Sequence, residues 1–118
     1  MITVEQLLGK LNTQDLNFIV EVNGEQYPCD RLPFGQLLSM DDHHDVDTQV
    51  GSFNRSMEVI YMSCPIFRQL ANQTEIIGDP YKIVEKVLNP AEIYLFYTKI
   101  LEHYFNQQKI DVEAVKKP

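Results

Sequence analysis

"LNFIVEVNGEQYPCD", residues 16 to 30, decides the fold of this chain. Leu16, Phe18, Val20 and Val22 alternate with Asn17, Ile19 and Glu21, the period of a strand with one buried face. Asn23-Gly24 follows where a two-residue hairpin turn needs two positive φ angles. Such a turn sets Val22 opposite Glu25, Val20 opposite Tyr27 and Phe18 opposite Cys29, so the apolar face continues onto the second strand. Pro28 cannot donate to a ladder, which makes that strand an edge or a short one.

The segments on either side are helical. "TVEQLLGKL" (3 to 11) puts Val4, Leu7, Leu8 and Leu11 on one face, and spaces Thr3 and Gln6 as a capping box. "LPFGQLLSM" (32 to 40) is either a short helix begun by Pro33 or a loop that tucks Leu32, Phe34, Leu37 and Leu38 into the core. "RSMEVIYMS" (55 to 63) is apolar on most sides, as a central helix would be, and Pro65 then kinks it or opens a new turn.

Asp79-Pro80 and Asn89-Pro90 each combine a capping side chain with proline at the first helical position, and Glu92 completes a box with Asn89. They predict helices over 80–88 and 90–105. The second carries Ile93, Phe96, Tyr97, Ile100, Leu101 and Tyr104 on one stripe. Residues 106–118 lack a stripe and are expected to fray. The sum is an α+β domain dominated by helix: a short N-terminal helix and a β-hairpin, then about four helices, in one domain spanning 1–118.

"MDDHHDVDTQVG" (40 to 51) looks the most chemical. An EF-hand loop counted from Asp45 meets Val50 where glycine is needed and Ser56 where glutamate is needed, so the calcium pattern fails. His43, His44 and Asp45 are the candidates for any other metal, but rings on adjacent residues usually diverge, and the remaining histidine is His103. The expectation is a solvated acidic connector over about 40–53, with no metal and no cofactor.

No G-x-S-x-G, H-E-x-x-H, P-loop or G-x-G-x-x-G occurs, and two cysteines in apolar settings are most often inert. The chain reads as non-enzymatic.

Charge narrows the partners. The net charge of −7 arises in the first 54 residues, where nine acids face only Lys10 and Arg31, while the remainder is balanced. A sequence pI near 4.8 without a basic stripe argues against nucleic acid or an anionic membrane surface as partner. The start, "MITVEQLLGK", lacks a signal-peptide pattern, and no apolar run approaches ~18 residues, so a cytoplasmic protein with reduced thiols is expected. On the helix begun at Pro90, with Ile93 at zero and about 100° per residue, Tyr94 and Phe105 lie at the margin of the stripe and Leu95 falls on the polar side. These three are the candidate partner-binding residues.

Residues 58–104, "EVIYMSCPIFRQLANQTEIIGDPYKIVEKVLNPAEIYLFYTKILEHY", resemble the C-terminal half of tail assembly chaperones of bacteriophages of Gram-positive hosts. The likeness rests on an apolar helix ending in Ser63-Cys64-Pro65, the "FRQL" segment, and the Asp79-Pro80 and Asn89-Pro90-Ala91-Glu92 helix starts, with the hairpin in support. It implies a non-enzymatic protein of the host cytoplasm that binds the tail tape measure protein and keeps it soluble before the tail polymerises. A small acidic adaptor or inhibitor of a host protein is the alternative, and self-association stays open.

Overall fold

The computed structural model describes residues 1–13 and 17–116, the side chains of residues 12, 13 and 106–116 excepted; Leu16, the first inward residue of the alternation, lies outside them. Strands β1 (Asn17–Val22) and β2 (Glu25–Asp30) pair antiparallel in the register that the turn dictates, with Val22 opposite Glu25, Val20 opposite Tyr27 and Phe18 opposite Cys29. Asn23 and Gly24 take φ of 52° and 83°, both in the left-handed region that a type I′ turn requires. Pro28 faces Ile19 at a position where the strand directs its N–H away from the partner, so the missing donor costs the ladder nothing.

An isolated two-stranded hairpin is marginal in water. Here Val20, Val22 and Cys29 are buried, with β1 packed on the last helix and β2 on the fourth. Six helices accompany the hairpin among the described residues, in an α+β arrangement dominated by helix: α1 (Val4–Thr13), α2 (Phe34–His43), α3 (Gln49–Ser63), α4 (Pro65–Asn72), α5 (Ile83–Val87) and α6 (Pro90–Lys116). The starts of α1 and α6 follow the punctuation, whereas Asp79 makes no side-chain cap bond to the turn at Pro80 and its carboxylate accepts from the Tyr81 hydroxyl instead. The Thr3 amide donates to Gln6 Oε1 at 2.9 Å and the Gln6 amide returns to Thr3 Oγ1 at 3.2 Å. At α6 the Asn89 and Glu92 amides exchange the same pair of bonds, at 2.9 and 2.8 Å.

Cys64 alone separates α3 from α4, held extended at φ −113° and ψ 104°, as a residue before proline prefers. α3 runs through the middle, packed against α2, α4, α5 and α6, and it contributes the fully buried Ile60 to a core shared with Val84, Ile93, Phe96 and Ile100.

Three boundaries differ from the sequence expectation. The acidic connector is not 40–53. Residues 40–43 complete α2 and residues 49–53 open α3, leaving 44–48 to join them. Thr48 makes this possible: its Oγ1 donates to the Asp45 carbonyl at 2.8 Å and accepts from the Gly51 amide at 3.0 Å, capping α3 well before the apolar run begins. Secondly, α6 does not end near Phe105; it continues to Lys116, because Gln, Lys, Glu and Ala sustain a helix by propensity without an apolar stripe. Thirdly, the helix expected over 80–88 is a 3₁₀ turn at Pro80–Lys82 followed by the short α5.

Candidate functional site

The two adjacent histidines do not diverge. Both turn toward α3, where Glu58 Oε1 lies 3.4 Å from His43 Nδ1 and 3.5 Å from His44 Nε2. The ring of His44 also meets Tyr81 edge-on at 5.6 Å. Burial, followed by the charge of Asp79, pushes the Tyr81 hydroxyl up to about 12, and that hydroxyl donates to Asp79 Oδ2 at 3.2 Å. Asp45 is elsewhere: its carboxylate accepts from the Asp47 amide at 3.3 Å, shaping the turn. Among the described residues no three His, Cys, Asp or Glu side chains form a group able to hold a metal ion. The arrangement therefore ties α2 to α3, and Arg55 reinforces the tie through Asp41 Oδ1 at 3.0 Å.

Of the three apolar candidates on α6, two share a face. Tyr94 and Phe105 are eleven residues apart, three helical turns, and so point the same way about 16 Å from each other. Each flanks a groove. Tyr94 lies against Phe53 with ring centroids 5.7 Å apart, beside a shallow groove of about 490 Å³ that Val50, Phe53 and Pro90 line and Lys82 and Glu85 edge. Phe105 meets Phe34 edge-on at 5.7 Å, beside a smaller hollow of about 150 Å³ formed with Leu37, Leu38, Val59 and Leu101.

Between the two, the Arg55 guanidinium sits 4.9 Å over the ring of Tyr97. Burial raises the Tyr97 hydroxyl above its usual range, and Arg55 opposes that shift. Leu95 is not brought to this face. It lies roughly a quarter-turn round the helix from Tyr94, 43% exposed, on the row of Glu92 and Lys99 that reaches the hairpin.

A further apolar surface is one that the candidate residues above do not include. Among the described residues α1 packs closely against none of the other elements, and its apolar face is open: Val4, Leu7, Leu8 and Leu11 are 72%, 47%, 52% and 67% exposed. The i, i+3, i+4, i+7 spacing of this face is legible in the sequence. That no other described element packs closely on it is not, because periodicity says which side of a helix is apolar and not what covers it. No helix among the described residues is long and apolar enough to cross a membrane. Comparison with protein-family models, with curated proteins and with solved structures returned no match.

Proposed function

We propose that this chain is a non-enzymatic assembly chaperone that binds a helical client through apolar helix faces, the client being a phage tail tape measure protein held soluble before the tail polymerises. The observation that carries the binding role is α1. A ten-residue helix is marginal in water on its own, yet this one keeps Val4, Leu7, Leu8 and Leu11 uncovered. Covering what remains exposed of each of these side chains returns about 1 kcal/mol, which favours docking against another apolar surface. Tyr94 and Phe105, with their two grooves, extend the apolar surface available to a long client, and Leu95 adds a contact on the adjoining face of α6. The charge of −7 keeps copies of the free chaperone apart while the apolar faces wait for the client. The tape measure assignment itself rests on the sequence resemblance over residues 58–104.

Co-expression tests the reading. The wild-type chain raises the soluble fraction of a tape measure protein and co-purifies with it. The double variant Leu7→Glu/Leu8→Glu loses both effects while its thermal midpoint stays unchanged, since both side chains are already half exposed. Failure of the wild type to co-purify with, or to solubilise, the client overturns the proposal. Capture of a different host protein, abolished by high salt and indifferent to the Leu7/Leu8 change, favours an acidic adaptor or inhibitor instead.

A further inference from the structure

We propose that one stripe of α6, from Pro90 to Phe105, is a docking track for a basic amphipathic helix that sets two bulky apolar side chains, eleven residues apart, into the groove at Tyr94 and the hollow at Phe105. The inference deepens the client-binding reading and rests on it, adding the spacing and the sign of charge that a bound segment must carry.

The spacing comes from α6 itself. Pro90 and Tyr94 line the groove, and Tyr97, Leu101 and Phe105 line the hollow. These positions recur at i, i+4, i+7, i+11 and i+15, so both cavities open along a single face of one helix. α3 flanks that face, giving Phe53 to the groove and Val59 to the hollow. The rims are apolar and exposed, with Val50 and Tyr94 at one end and Phe34, Leu38 and Phe105 at the other. A second helix laid along this line rises about 1.5 Å per residue, as α6 does, so side chains that reach points about 16 Å apart stand eleven residues apart. The hollow, at about 150 Å³, has the scale of one leucine or phenylalanine side chain, the kind of anchor by which a helix is held in a groove.

The sign comes from what borders the line. Asp41 lines the hollow, and the exposed Asp42, Asp45 and Asp47 follow it in the stretch that leads into Gln49 and Val50 at the groove. His43 and His44, in the same stretch, turn to Glu58 instead. Glu85 edges the groove. Against these five carboxylates stand Lys82, which edges the groove with Glu85, and Arg55, whose side chain is 18% exposed and already bound to Asp41 Oδ1 at 3.0 Å. The Asp41 side chain keeps 40% of its surface open. Lysines or arginines flanking the two anchors complement this border, whereas an acidic helix meets like charge.

Fluorescence anisotropy with the full chain and labelled synthetic helices tests the track. An alanine-based peptide with phenylalanines eleven residues apart and lysines on the flanks binds, and its affinity falls as salt rises. Setting the two phenylalanines seven residues apart keeps them on one face but loses an anchor, which weakens binding about tenfold. Val50→Gln or Leu38→Gln in the protein has the same effect; both side chains are more than half exposed, so thermal melts stay unchanged. Glutamate in place of the lysines abolishes binding. Equal affinity for the two spacings, equal affinity for the two charges, or no binding by the first peptide overturns the track. A tape measure protein that still co-purifies in any of those cases leaves the chaperone reading standing, and Leu7→Glu/Leu8→Glu, which removes that capture, leaves the peptide affinity unchanged. A dimer seen by light scattering that Val50→Gln dissolves overturns the proposal in favour of a second copy as the occupant.

Discussion

Tyr104→Phe removes one oxygen, and the structure says what that oxygen holds. The Tyr104 hydroxyl accepts from the Leu32 amide at 2.8 Å and donates to the Leu32 carbonyl at 3.0 Å, so one side chain satisfies both polar groups of a residue 72 positions earlier. Leu32 lies in the link between β2 and α2 and is half-buried. Each buried backbone group left without a partner costs about 1–3 kcal/mol, and partial access of water to Leu32 places the pair near the low end, about 2 kcal/mol in total. Phenylalanine keeps the ring contacts, with Phe34 and Phe18 at 6.3 and 6.4 Å and the Arg31 guanidinium at 5.1 Å, so the change isolates the hydrogen bonds.

At ~2.1 cal/mol/K per residue the unfolding entropy of this chain is roughly 250 cal/mol/K, and the thermal midpoint falls by about 8 °C. In urea the midpoint drops by roughly 1 M with an unchanged slope, the mark of a stability change without a change in compactness. A loss within about 0.5 kcal/mol, the range of an ordinary surface substitution, would refute the claim that Tyr104 fastens this link.

Two further perturbations probe other parts of the fold. A Cβ at Gly51 would stand 1.8 Å from the Asp45 carbonyl oxygen and 2.5 Å from its carbon, both backbone atoms, so Gly51→Ala must open the cap of α3 and costs upward of ~3 kcal/mol in a urea titration. Gly35→Ala, with nothing within 4 Å, serves as the control and leaves the midpoint unchanged or slightly higher. At alkaline pH, Tyr81 keeps its proton up to about 12 in the folded chain but only to about 10 when unfolded, so its contribution is complete below pH ~10 and is lost between there and pH ~12. Tyr27, Tyr97 and Tyr104 shift in the same direction, each mainly through burial. Stability measured against pH therefore declines across this window, and Tyr81→Phe flattens part of the decline; a level wild-type profile would contradict the burial of these hydroxyls.

The hairpin was legible to the residue because Asn23-Gly24 permits one turn type and that turn fixes the register. The helix starts at Val4 and Pro90 were legible because capping is local chemistry between residues three apart. What depends on distant neighbours was hidden. The convergence of His43 and His44 on one oxygen needs Glu58, fourteen residues and a helix away. The early start of α3 had a signal, Thr48 followed three residues later by Gly51, but the surrounding density of aspartates masked it. The stripe of α6 was correct in phase, and it located Tyr94 and Phe105 on one margin; that their neighbours would be Phe53 and Phe34 required the tertiary fold.

The hairpin is fastened mainly by residues that come late. Asn23 Nδ2 donates to Glu92 Oε2 at 2.6 Å, Lys99 donates to the Glu21 carbonyl, and Phe18 stacks on His103 at 4.0 Å. These ties span 69 and 78 positions for the first two, so strands translated early remain without their cover while some seventy further residues are made. At ~5–20 residues per second that interval is roughly 4–14 s, during which Val20 and Val22 face whatever surrounds the ribosome. A protein proposed to shield another chain's apolar surface thus passes through a stage in which its own most regular segment needs shelter, and the rate at which α6 emerges sets how long that stage lasts.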